Sequence, residues 1–165
     1  MLSLLRATLA VALLAVPAAA QSHDGMHVTD AYARVSGPSA QSGAVFLMLE
    51  NHGTAEDRLI GVASDVAARV EMHTHTQDAN GVMQMREVPE GFAIAAGGTH
   101  ALARGGDHIM LLGLTRPLNQ GDSFPLTLTF QRGEVITLDV TVDAQRPAPA
   151  MGHGAGHMHG AAPSN

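Results

Sequence analysis

Between Val28 and Val142 no segment holds an apolar stripe at helical spacing for three turns. The chain instead offers short apolar or alternating runs, cut at close intervals by Gly, Pro, Asn and Asp. Val28–Arg34, Ala44–Leu49, Arg58–Ala63, Ala68–His75, Val82–Val88, Phe92–Ala95, His100–Ala103, His108–Leu114, Phe124–Phe130 and Glu134–Val142 all read as strands. Glu50-Asn51-His52-Gly53 looks like the turn ending the second run. Asp78-Ala79-Asn80-Gly81 carries the Asn-Gly pair that most strongly signals a hairpin. Many short strands with turn signals predict an all-β sandwich or barrel.

The flanks read differently. Residues 1–20 have a positive start at Arg6, an apolar run over Ala7–Val16, then Pro17 and small residues to Ala20. This is the pattern of a secretory signal peptide, with cleavage expected after about Ala20. Residues 21–27 form a short N-terminal segment, 28–143 the β domain, and 144–165 a tail of Ala, Gly and Pro punctuated by His and Met. The tail has almost nothing to bury and is expected to be disordered. No run reaches the ~20 apolar residues a membrane span needs, and without cysteine a lipoprotein-type anchor is not expected. The address is therefore export, which in a bacterium means the periplasm. An exported chain could carry disulfides, but this one has no cysteine and must rely on its core. Without Arg6, eight Arg face fifteen acids, a balance of −7 with no Lys and no Trp. Such a surface argues against nucleic acid, which wants a basic footprint and stacking platforms.

The chemistry gathers in Val70–Leu114, which holds four of the ten His and four of the nine Met. Imidazole and thioether are the ligands left to a cysteine-free protein for a soft metal; Met suits Cu(I) and imidazole suits copper among others, so the mixture points first to copper. Alternation puts His108 and Met110 on one face of their strand, with Ile109 and Leu111 toward the core. Met83 and Met85 share one face, His73 and His75 another. The Asn-Gly hairpin brings the His strand beside the Met strand, and Gly105-Gly106-Asp107 allows His108-x-Met110 to join them. Taken singly, a strand Met is most often core filler, as expected for Met48, Met72 and Met83. His52 and His100 read as solvated surface residues.

The set His73, Met85, His108 and Met110 resembles the ligand pattern of the small periplasmic copper chaperones of PCuAC type, which help assemble the CuA centre of cytochrome c oxidase. Ala31-Tyr32-Ala33-Arg34, Gly43–Asn51, Asp57-Arg58-Leu59 and Gly105–Leu112 are similar to that family as well, so the resemblance spans about Val28–Val142. It implies a cupredoxin-like Greek-key β-barrel that binds one Cu(I) at an exposed end through these four residues, while strand alternation and the Asn-Gly hairpin keep His75 and Met83 in reserve. It also implies a monomeric carrier and not an enzyme, whose partner is a copper-bearing oxidase subunit or a Sco-type, thiol-bearing assembly factor.

Two accessory sites are expected. Cleavage after Ala20 would start the chain Gln21-Ser22-His23, whose amine, amides and His23 imidazole form an all-nitrogen set suited to Cu(II). In the tail, Met151, His153, His157, Met158 and His159 are metal-binding by composition and would capture copper, including Cu(II), near the main site. A blue-copper electron carrier needs a thiolate that is absent, and a zinc hydrolase needs three N/O ligands that the acids here do not supply. The remaining alternative is a periplasmic copper-buffering or resistance protein with no delivery role.

Overall fold

The computed structural model describes residues 25–147. They form ten strands and no helix: β1 (Met26–Val35), β2 (Ser42–Asn51), β3 (Asp57–Ala63), β4 (Ala67–Gln77), β5 (Met83–Glu87), β6 (Phe92–Ile94), β7 (Thr99–Leu102), β8 (His108–Leu114), β9 (Ser123–Phe130) and β10 (Val135–Val142). The all-β expectation holds, each expected run overlaps one strand, and β8 has the expected bounds. The signal peptide, His23 and the tail from residue 148 onward lie outside the described residues. Among those described, no helix is long and apolar enough to cross a membrane.

Hydrogen-bonded neighbours run β5-β4-β8-β2-β1-β10-β9-β3-β6, and β7 also pairs with β2. β1 and β10 are parallel; the other pairings are antiparallel. β3 lies against β4 and β6 against β7, so the path curls back around one core. Alternate residues supply that core: Val45, Leu47 and Leu49 from β2, Met72 from β4, Ile109 and Leu111 from β8, and Phe124, Leu126, Leu128 and Phe130 from β9. Each such side chain contributes about 1.5–3 kcal/mol on burial, the main support of a fold without disulfides.

Four expectations need correction. β2 runs on through Glu50 to Asn51, so the turn starts later than expected. Asn51 is buried because its amide donates to Ala55 O (2.9 Å) and Ile94 O (3.0 Å), while its oxygen accepts from Gly53 N (2.9 Å). A satisfied carboxamide at a strand end cross-links three segments. Met83 is not core filler: it is 55% exposed, because β5 is the last strand of the path and pairs with β4 alone. Met72 is core, as expected, whereas Met48, expected there too, is only partly buried and lies outside the core cluster, on the opposite face of β2 from Leu47 and Leu49. His100 is not simply solvated; its ring stacks on Phe92 at 5.1 Å and its Nε2 meets Asp107 Oδ2 at 2.9 Å.

The hairpin that delivers β5 forms where the Asn-Gly signal lies. Asp78 Oδ1 accepts from Asn80 N and Val82 N, both at 2.9 Å, and Gly81 takes a φ of +83° that favours glycine.

Candidate metal centre

β4 lies between β5 and β8, and the registers decide which side chains meet. Across β4 and β8, His73 stands opposite His108, Met72 opposite Ile109 and Glu71 opposite Met110. Across β4 and β5, His75 stands opposite Met85 and Gln77 opposite Met83. Directly opposed residues of an antiparallel pair share a face. Met72 and Ile109 are buried in the core, so His73, His75, His108, Met83, Met85, Met110 and Glu71 lie together on the outer face. The His pair and the Met pair, expected on separate faces, therefore share one. All four expected main ligands are on it, and both reserves.

This face has an apolar flank. The His108 ring is 6.3 Å from that of Phe46 on β2, which is 5.2 Å from that of Tyr32 on β1. Tyr32 is in turn covered by the Arg146 guanidinium, 4.4 Å from its ring centre, and Arg146 pairs with Asp30 in the β1 bulge. Behind this row His108 is buried, at 2% exposure, while Met85 at the sheet edge is 52% exposed. The candidate centre thus runs from a buried wall to an open edge.

The hydrogen bonds fix what each imidazole can offer. His75 Nδ1 and His108 Nδ1 both lie 3.0 Å from the same carbonyl, Gly106 O. A carbonyl only accepts, so both rings donate from Nδ1, and each keeps a lone pair on Nε2 when neutral. Donation of one ring N–H to a carbonyl, leaving the other nitrogen for metal, is the usual arrangement of a ligating histidine. His73 is held the other way round. Its Nε2 lies 2.9 Å from Glu71 Oε2, and Glu71 Oε1 accepts from Arg69 Nη1 at 2.7 Å. That leaves His73 Nδ1 as the acceptor, buried and without a hydrogen-bond partner, and such an atom is costly unless something fills its lone pair. The rings of His73 and His75 lie 5.9 and 5.0 Å from that of His108.

Burial lowers the His108 pKa below its ordinary value of 6.5, the bond to Gly106 O opposes this, and His75 and His73 lower it further. The ring that anchors the face is thus biased toward the neutral form, the form that binds metal. Among the described residues, no three His, Cys, Asp or Glu side chains already converge on a metal position. A site here is completed by the thioethers, or by rotation of side chains. Two neutral nitrogens and two neutral sulfurs suit a soft monovalent ion, and the orphaned His73 Nδ1 fits a donor set awaiting one.

Sequence reasoning missed Glu71 and the Gly106 carbonyl. The first had a signal, since Glu71 is two residues from His73 and shares its face; the second is a backbone atom placed by the Gly105-Gly106 turn. Elsewhere, His52 is exposed as expected, 3.2 Å from Glu50 and 4.4 Å ring to ring from His27. His23, Met151, His153, His157, Met158 and His159 lie outside the described residues.

A family described as "Putative lipoprotein LpqE-like" matches residues 26–142, from the first residue of β1 to the last of β10, and the chain belongs to this LpqE-like family. "Putative lipoprotein Lxx21020" of Leifsonia xyli subsp. xyli (strain CTCB07) is 36% identical over 151 residues, covering 84% of this chain and 89% of that protein. The solution structure of CuI-DR1885 from Deinococcus radiodurans is 32% identical, with a TM-score of 0.61 over 78% of this chain and 84% of that one. The copper-bound PCuAC domain from PmoF2 is 20% identical, with a TM-score of 0.59 over 72% of this chain and 92% of that one, a likeness of fold alone. The resemblance to PCuAC-type proteins seen in the sequence is borne out, and with it the cupredoxin-like fold.

Proposed function

We propose that this chain is an exported copper carrier that holds one Cu(I) on the outer face of β5, β4 and β8 through His73, Met85, His108 and Met110. The observation that carries the reading is the placement of two imidazoles and two thioethers from three neighbouring strands on one face, one of the imidazoles bearing an orphaned ring nitrogen. The Cu(I)-bound relative from Deinococcus radiodurans supports the choice of metal. It acts as a carrier rather than an enzyme and works as a monomer in the periplasm, after removal of residues 1–20. Thiolates bind Cu(I) more strongly than thioethers do, so release to a thiol-bearing acceptor is downhill. The acceptor is a Sco-type assembly factor or the copper-bearing subunit of cytochrome c oxidase. Met151, His153, His157, Met158 and His159 serve as an auxiliary copper site that also takes Cu(II), and a mature N-terminus bearing His23 offers another.

Anaerobic titration of the full chain against a Cu(I) chelator tests the main site, followed by mixing of the loaded protein with a dithiol acceptor. His73→Ala should weaken the tight Cu(I) site at least tenfold with the β-sheet spectrum unchanged, and the wild-type ion should pass to the dithiol. Unchanged affinity in that variant, or retention of Cu(I) against excess dithiol, overturns the reading.

A further inference from the structure

We propose that His75 is a third imidazole of this centre, and that the His73, His75 and His108 set lets the same face accept Cu(II) as well as Cu(I). The inference rests on the copper-carrier reading above and adds to it a ligand and an oxidation state.

The argument starts from Gly106 O, a backbone acceptor that no side-chain motion can remove. Two rings donate to it, each at 3.0 Å, which spends both of its lone pairs. His75 is therefore oriented by the same atom as His108, with its Nε2 equally uncommitted and its ring 5.0 Å away. A histidine present only as strand surface has no reason to share the positioning device of a ligand. The third nitrogen is His73 Nδ1, already without a partner. These are three ring nitrogens without hydrogen-bond partners among the described residues, on adjacent rings.

Register adds the selectivity. His75 stands directly opposite Met85, so the nitrogen and the sulfur approach an ion on this face from neighbouring positions. Cu(II) prefers nitrogen and oxygen donors in tetragonal arrangements, whereas Cu(I) tolerates low-symmetry sets containing thioether. Cu(II) would take His73, His75 and His108; Cu(I) would exchange the His75 nitrogen for the thioethers of Met85 and Met110. The three rings do not converge as they stand, so loading needs rotation of His73, the one ring of the three that Gly106 O does not hold. His73 is only partly buried, and β5 beside β4 is exposed along its length, which leaves room for that motion. Glu71, opposite Met110 and bonded to both His73 and Arg69, adds a carboxylate beside the three rings.

The test uses the full-length chain with His23, Met151, His153, His157, Met158 and His159 all changed to Ala, so that copper bound elsewhere does not mask the face. Cu(II) is added alone and pulsed EPR counts coupled imidazoles; Cu(I) affinity is measured separately by anaerobic competition. Three imidazoles are expected. His75→Ala should reduce the count to two and weaken Cu(II) at least tenfold more than Cu(I), and Met85→Ala should weaken Cu(I) at least tenfold more than Cu(II). An unchanged imidazole count in His75→Ala, equal losses for both ions, or no Cu(II) bound at this face overturns the inference while tight Cu(I) binding leaves the carrier reading standing. Absence of Cu(I) binding in the parent protein overturns both.

Discussion

Met85→Leu separates the ligand from the fold more sharply than any other single change. Met85 is 52% exposed on a strand that pairs with β4 alone, so little packing depends on its sulfur. A swap of similar volume at such a position should change stability by less than about 0.5 kcal/mol. For a domain of this size that moves the melting temperature by under ~3 °C. The ligand effect is far larger. Changes to residues that merely orient a metal ligand cost about 10–100-fold in affinity, and Met85 is one of four proposed direct ligands. Cu(I) affinity should therefore fall at least tenfold, about 1.4 kcal/mol, when measured by anaerobic competition with a chromophoric chelator. Met83→Leu is the internal control. Met83 is as exposed as Met85 but stands opposite Gln77, two pairs closer to the hairpin, so the affinity of this variant should stay within threefold of wild type. If Met83→Leu takes the loss and Met85→Leu does not, the assignment drawn from strand register is wrong.

Two further outcomes follow from groups described above. In the metal-free protein, His108 has its pKa lowered by burial, so the unfolded chain binds more protons than the folded one as pH falls through 6.5. Stability should be constant above that region and decline below it until the folded-state pKa is reached; urea midpoints from pH 8 to pH 5 check this, and His108→Asn should flatten the decline. Asn51→Ala leaves Ala55 O, Ile94 O and Gly53 N without their partner. A loss of about 2–4 kcal/mol is expected, seen as a lower urea midpoint with an unchanged slope, and a loss below about 0.5 kcal/mol would show that the side chain is not the cross-link described.

The sequence carried the strands well because apolar runs and turn residues are local signals. Asn80-Gly81 marked a hairpin, and the Gly105-Gly106 pair marked the start of β8. What it could not carry was register. A period of two says that His73 and His75 share a face but not which of them stands opposite His108 or Met85, since a slip of β4 by two residues preserves every face. The pairing of β4 with β8 across thirty-odd residues of chain settles it. Met83 was misjudged for a related reason: a strand methionine fills a core only where a second layer covers its face, and edge position is a property of the whole sheet order. His100 looked solvated because nothing local to it reveals that Phe92 and Asp107 will flank its ring. Likewise, a ligand-orienting backbone carbonyl leaves no side-chain trace in a sequence.

The gradient of burial across the face bears on the proposed release of copper from it. His108 is fixed by the core-facing strand β8, by Phe46 beside it and by Gly106 O. Met85 has none of these supports and stands on the outermost strand. With the proposed ligand set, an incoming thiolate meets the ion from the β5 side and displaces the exposed thioether before any imidazole. The nitrogens would then hold the ion while the first metal–sulfur bond to the acceptor forms, so that the ion need at no stage be free. A centre buried evenly on all sides would bind as tightly but would have to open to let its cargo go. On the proposed function, hard-to-move nitrogens on paired strands and an easily displaced sulfur at the sheet edge would let one β-sheet both retain copper and surrender it.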